Sequence, residues 1–262
     1  GIRYANLKQL PEGTDQTYTM ADGSQFHLVR TGNTITSVGI VKGDTGFEAR
    51  RELVGDYIPS YTPADCDIPI TDGLVSLWCF NDPSDPGKDD LNINNGTVNG
   101  ATWTENSING GGLEFDRNGH VHVPYHSTLD LQNAFTISAW INASSGVTDY
   151  QSIVCKEDES QRWKDRNFWL SLWSDAGDVG TLHLRFSSSS NNTDGDVEDN
   201  QDLRNAGWKH AVGTYDASEG KCYLYLDGKF RGDDNVSASP EGIGEDLYMG
   251  QEVPGVRGFK GT

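Results

Sequence analysis

The chain has 262 residues and sets 39 Asp and Glu side chains against 20 Lys and Arg, a net charge of −19. Such a balance repels nucleic-acid phosphates and anionic lipid surfaces, so neither is an expected partner. No run of about 18 apolar residues occurs, which argues against membrane insertion. The length suits one large β domain plus a small one.

From the N-terminus, residues Gln16 to Ala21, Ser24 to Arg30 and Thr34 to Val41 alternate with period two around Asp22-Gly23 and Gly32-Asn33, which predicts a three-stranded meander. Phe47 to Val54 reads as a short helix with Arg50 and Arg51 exposed. A meander this small buries little alone, so residues 1–55 are expected to be a connector that packs on the main domain, on a second copy or on an assembly partner. Residues 56–72 hold Pro59, Pro63 and Pro69 with little periodicity and read as a linker.

The remainder, residues 73–262, reads as a β domain. Leu74 to Phe80 has the composition of a strand, and an acidic loop rich in Gly and Asn follows from Asn81 to Gly96. Further strands are predicted at Gly100 to Thr104, Leu113 to Asp116, His120 to Pro124, Phe135 to Asn142, Gln151 to Lys156, Asn167 to Trp173 and Thr181 to Phe186. After an exposed loop at Ser187 to Asn200 come Trp208 to Asp216, Lys221 to Asp227 and Leu247 to Gly250, with Asp227-Gly228 supplying a hairpin turn. Short strands at this spacing, with almost no helical periodicity between them, argue a β-sandwich. Cys66, Cys79, Cys155 and Cys222 have no metal-type spacing; they read as buried free thiols or as one or two disulfides.

The blocks Leu113-Glu-Phe-Asp116, His120-Val-His-Val-Pro124, Leu129-Asp-Leu131 and Ala134 to Ile141, then Trp208 to Asp216 and Tyr223 to Gly228, resemble in order and spacing the laminin-G-like, concanavalin A-like jelly-roll domains. The resemblance implies an all-β, two-sheet jelly-roll sandwich from about residue 74 onward, preceded by the small β-meander domain. Domains of that family usually finish with one more strand after a Phe-x-Gly-Thr segment. The sequence stops at Phe259-Lys-Gly-Thr262, so that last strand is expected to be missing, either lying farther along a longer polypeptide or donated by a neighbouring chain.

Strand parity points to a binding surface. Phe168, Leu170 and Leu172 alternate with Trp169 and Trp173; Leu182, Leu184 and Phe186 with His183 and Arg185; Cys222, Leu224 and Leu226 with Tyr223 and Tyr225; and Ile137, Ala139 and Ile141 with Trp140. One face of each strand is aliphatic, and the other mixes rings with hydrogen-bonding groups, as sugar recognition requires. Trp140, Trp169, Trp173, His183, Arg185, Tyr223 and Tyr225 are therefore the candidate ligand-binding residues, on a single concave face. The resemblance adds calcium as the candidate cofactor, with Asp82, Asp90, Asn92 and Asn94 as its ligands. No paired-carboxylate motif of the related glycoside hydrolases occurs, since Glu157, Asp158 and Glu159 are consecutive, so no enzyme activity is expected. Arg231-Gly232-Asp233 reads as a coincidental match to an adhesion tripeptide. The function expected is non-catalytic recognition of a glycan or glycoprotein by an extracellular or surface-displayed protein. The alternative is a structural subunit of a virion fibre, capsid decoration or surface filament, assembling through its N-terminal domain.

Overall fold

The computed structural model describes the backbone at 15–19, 25–31, 34–42 and 48–56, and residues 73–262 except 109, 161–165, 176–177, 188–192, 237–239 and 241–243. The chain packs as two compact units, Gly1–Asp67 and Ile68–Thr262. In the first, β1 (Asp15–Thr19), β2 (Gln25–Thr31), β3 (Thr34–Lys42) and β4 (Glu48–Asp56) form an antiparallel sheet in chain order. The expected helix at Phe47 to Val54 is corrected by β4, which pairs with β3 from Thr34↔Asp56 to Lys42↔Glu48. The helix-forming composition of that stretch is outweighed by the long unpaired edge that β3 offers it. The expected linker lies beyond Asp56 outside the described residues.

The second unit contains β5 (Thr97–Asn99), β6 (Thr102–Thr104), β7 (Gly112–Asp116), β8 (His120–Val123), β9 (Ala134–Ile141), β10 (Gln151–Glu157), β11 (Arg166–Asp175) and β12 (Asp178–Ser187). It continues with β13 (Thr193–Asp202), β14 (Lys209–Asp216), β15 (Lys221–Leu226), β16 (Lys229–Asn235), β17 (Leu247–Met249) and β18 (Lys260–Gly261). A large seven-stranded sheet has the order β13-β12-β11-β10-β17-β8-β5, a small four-stranded sheet β16-β15-β14-β9, and a third β18-β7-β6. The large and small sheets sandwich the core, giving the all-β jelly roll. Phe168, Leu170 and Leu172 of β11 and Leu182, Leu184 and Phe186 of β12 are buried together with Phe135, Ala211, Tyr215, Leu224 and Leu226 of the small sheet. Ring contacts cross between the layers, Phe135 to Phe168 at 5.7 Å and Phe186 to Tyr215 at 5.1 Å. Each fully buried Leu contributes roughly 2 kcal/mol, so this alternation is a strong determinant of which face of each strand turns inward.

Several elements depart from the sequence reading. Leu74 to Phe80 is not a ladder strand, because carboxylates of the acidic loop occupy its amides. Leu77 N–H donates to Asp89 Oδ1 at 2.9 Å and Cys79 N–H to Asp90 Oδ2 at 3.2 Å. The loop expected at Ser187 to Asn200 is replaced over Thr193–Asp202 by β13, an edge strand paired with β12. Its alternation is faint because the buried positions Gly195, Val197 and Asp199 include a single apolar side chain, while Asp196 and Glu198 between them face outward; charge on an edge also opposes unwanted pairing. Past the turn at Asp227 (φ 50°) and Gly228 (φ 73°), left-handed at both positions, β16 extends the small sheet. Lys260 and Gly261 pair with Asp116 and Phe115, while Asn142 N–H donates to the Thr262 carbonyl at 2.7 Å. Of the two readings open for the cysteines, Cys79 takes the disulfide, whereas Cys155 and Cys222 are free and buried.

Candidate ligand-binding faces

The predicted ligand residues do not share one groove. Trp169 and Trp173 on β11 and His183 and Arg185 on β12 belong to the large sheet; Trp140 on β9 and Tyr223 and Tyr225 on β15 belong to the small one. Because the aliphatic faces of both sheets meet in the core, the ring-bearing faces point away from each other. The single concave face is thus corrected to two opposite outer faces.

The face of the large sheet is closed where its rings are densest. Trp169 and His183 are fully buried. The Arg166 guanidinium lies 4.4 Å and that of Arg257 5.1 Å from the Trp169 ring, and the indole N–H donates to Ser152 Oγ at 3.0 Å. Tyr150 packs edge-on against Trp173 at 4.6 Å, and Arg185 lies 5.0 Å from that ring. Burial lowers the His183 pKa against the opposing pull of Asp196, with which its Nε2 pairs. Beside these rings, Arg166 joins two buried carboxylates, donating from Nε to Glu157 at 2.7 Å and from Nη2 to Glu252 at 2.6 Å. Burial pushes the Glu157 carboxyl up to about 7, an effect that Arg166 opposes and Glu252 reinforces.

The face of the small sheet is open. Trp140 is 50% and Phe230 56% exposed. Trp140 pairs across the ladder with His210, and their rings stack at 4.9 Å with an interplanar angle of 28°. His210 is held from both sides: Ser138 Oγ lies 2.7 Å from its Nε2, and its backbone N–H donates to Asp227 Oδ1 at 3.0 Å. Burial lowers the His210 pKa, with Asp227 pulling the other way. In the neighbouring row Ser138 pairs with Val212, Val212 with Tyr225 and Tyr225 with Phe230, the last two rings meeting at 5.9 Å. Tyr223 hydrogen-bonds Glu219, which pushes its phenol up to about 12. Sequence reading missed His210 and Phe230. Alternation along Lys209–Asp216, with Ala211, Gly213 and Tyr215 buried, was the available signal for His210.

Residues 115–262, more than half of the chain, match the family model described as the concanavalin A-like lectin/glucanases superfamily. The chain belongs to that superfamily. Among solved structures, domain 4 of AbnA, an extracellular arabinanase from Geobacillus stearothermophilus in complex with arabinotriose, is 17% identical with a TM-score of 0.49, over 67% of this chain and 82% of that one. The binding domain of botulinum neurotoxin serotype D is 13% identical with a TM-score of 0.48, over 63% of this chain and 40% of that one. No curated protein sequence matches.

Calcium, the cofactor expected from resemblance to the superfamily, needs roughly six to eight oxygens converging on one point. The residues proposed for it are engaged elsewhere. Asp82 Oδ1 accepts from the Ser84 amide at 2.9 Å and its hydroxyl at 2.6 Å, and Asp90 Oδ2 accepts from Cys79. Asn92 sits at φ 58° with its side-chain oxygen taking a bond from Asn95, and buried Asn94 donates to Ser76 Oγ at 2.6 Å. Between them Asp89, fully buried, accepts from four amides, those of Leu77, Leu91, Ile93 and Asn94. The loop is organised around its own backbone donors, and the proposed donor set does not fit a shared cation. Among the described residues no group of three or more His, Cys, Asp or Glu side chains could hold a metal ion.

Proposed function

We propose that this chain recognises a glycan or glycoprotein, in an extracellular or surface-displayed setting, through the open face of the small sheet and without chemical turnover. The observation that carries this reading is the half-exposed Trp140 ring laid on His210, beside the row that runs through Tyr225 to Phe230. A flat ring held in place by its neighbour needs little ordering to stack on the C–H face of a pyranose, while Ser138, His210 and Tyr223 offer hydroxyl partners. The non-catalytic part rests on Glu157 and Glu252, which are paired by Arg166 and shut from solvent, whereas glycosidase carboxylates flank an accessible bond.

The test is a glycan array probed with the wild-type chain, Trp140→Ala and Phe230→Ala. Loss of a central exposed Trp is expected to weaken binding by about 2 kcal/mol, roughly thirtyfold. Array binding that Trp140→Ala leaves unchanged would overturn the assignment to this face. Concentration-dependent self-association abolished by the same substitutions would instead identify the face as an assembly surface.

A further inference from the structure

The open face does not end at Phe230. Beyond it lies the seam between β13 and β16, the edge strands of the large and small sheets. A cleft of about 370 Å³ opens there, lined by Glu198, Asp199, Asn200, Phe230 and Arg231. A register shift lies at its edge: Tyr225 pairs with Phe230 and Leu224 with Gly232, leaving Arg231 as the extra residue of a bulge. Bulges re-aim side chains, and Arg231 reaches across the seam, its Nη2 donating to Asp199 Oδ1 at 2.6 Å.

The pairing is incomplete. The Asp199 side chain is 3% exposed, yet its Oδ2 has no hydrogen-bond partner, and neither has the buried Nε of Arg231. An unmet carboxylate oxygen beside an unmet guanidinium N–H is costly when both are shielded from water. A hydroxyl answers both, because it accepts from Nε–H and donates to the carboxylate in the same contact. Phe230 supplies an exposed ring at the rim, and the Asn200 side chain is exposed beside it. Two carboxylates, Glu198 and Asp199, against the one guanidinium of Arg231 leave the cleft negative, which disfavours acidic or sulfated ligands.

We infer that this cleft is a hydroxyl-reading subsite for a neutral sugar residue, with Asp199 and Arg231 sharing one hydroxyl and Phe230 covering the adjoining C–H face. The inference rests on the proposed glycan recognition and extends it from stacking to selectivity for uncharged sugars.

The experiment follows the Arg231 Nε–H resonance of the full chain by NMR during titration with methyl α-D-mannopyranoside, methyl β-D-galactopyranoside, methyl α-D-glucopyranoside and N-acetylneuraminic acid. At least one neutral glycoside is expected to shift this resonance, and the acidic sugar to leave it in place. Asp199→Asn is expected to weaken that binding by about tenfold, the loss of one charge-assisted hydrogen bond. Should that variant fail to fold, Arg231→Lys, which keeps the charge but removes Nε–H, is expected to weaken it comparably. A neutral glycoside that binds equally well to both variants overturns the subsite, as does an Arg231 resonance that no neutral glycoside moves. If Trp140-dependent array binding persists while Arg231 stays silent, the subsite fails and the open-face reading stands. If Arg231 responds while the array is insensitive to Trp140→Ala, the subsite stands and the open-face reading fails.

Discussion

Replacing Glu157 with Gln tests the electrostatics of the closed face. Glu157 is 1% exposed and bonded to Arg166, and its carboxyl is raised from 4.5 to about 7, with burial the largest cause. A carboxyl raised in the folded state keeps its proton while the unfolded chain loses its own. Stability is therefore fullest below about pH 4.5 and falls as pH climbs through the folded value near 7. Over that window the loss is on the order of 3 kcal/mol, at 1.36 kcal/mol for each pH unit. Glu157→Gln imitates the protonated acid, retains an acceptor for Arg166 and cannot ionise. Urea unfolding from pH 4.5 to 7.5 is expected to give equal stabilities at the acid end and a variant more stable by about 3 kcal/mol at the alkaline end. Parallel curves for the two proteins, or a variant already weaker at the acid end, would refute the reasoning and show that the charged pair is net stabilising.

Asp89→Ala strips the partner from four buried or part-buried amides and is expected to cost at least about 3 kcal/mol, with hydrogen-exchange protection lost first at Leu77, Leu91, Ile93 and Asn94. Because that loop satisfies itself, adding a calcium chelator is expected to leave the thermal unfolding midpoint unchanged; a clear drop would mean that an ion holds the loop. Trp140→Ala uncovers His210, so its depressed pKa should rise toward the ordinary imidazole value in an NMR titration of the ring protons; no movement would mean that Trp140 does not shield it. Gly258→Ala would place a methyl carbon 1.9 Å from the Arg117 carbonyl oxygen, a backbone clash expected to cost about 2 kcal/mol or more in chemical denaturation.

The sandwich was legible in this sequence because strand parity is a local property. Leu170 and Leu172 alternate with Trp169 and Trp173 whatever the rest of the chain does, and the two leucines joined the core between the sheets, although Trp169 on the opposite face is as fully buried as they are. Parity could not say to which sheet a strand belongs. β9 precedes β10 directly, yet β9 pairs with β14 and β10 with β11 and β17, so rings from adjacent segments finished on opposite sides of the molecule. Leu74 to Phe80 looked like a strand since propensity does not reveal that Asp89 and Asp90 will take its amides. Arg231 could be read only as part of a coincidental tripeptide, because a bulge shifts parity by one residue and leaves no mark in composition.

The candidate site was harder to read for a related reason. A Trp flanked by polar residues on a strand satisfies two different designs: a ring that waits for a sugar, and a ring already covered by a cation from a distant segment. Trp169 is of the second kind, because Arg166 and Arg257 both lie over it, and Arg257 arrives from the loop after β17. Trp140 is of the first kind: its stacking partner, His210, comes from the adjacent strand and leaves half of the indole exposed. Arg166 stands three residues before Trp169 on the same strand, but the second guanidinium over that ring, that of Arg257, comes from a distant segment and leaves no mark in the local sequence. The same logic assigns the acidic residues, since a carboxylate whose two oxygens both meet amides of its own loop, as in Asp89, is spent on the fold, whereas one left with an unmet oxygen beside a cleft, as Asp199 is, keeps bonding capacity that the fold has not used.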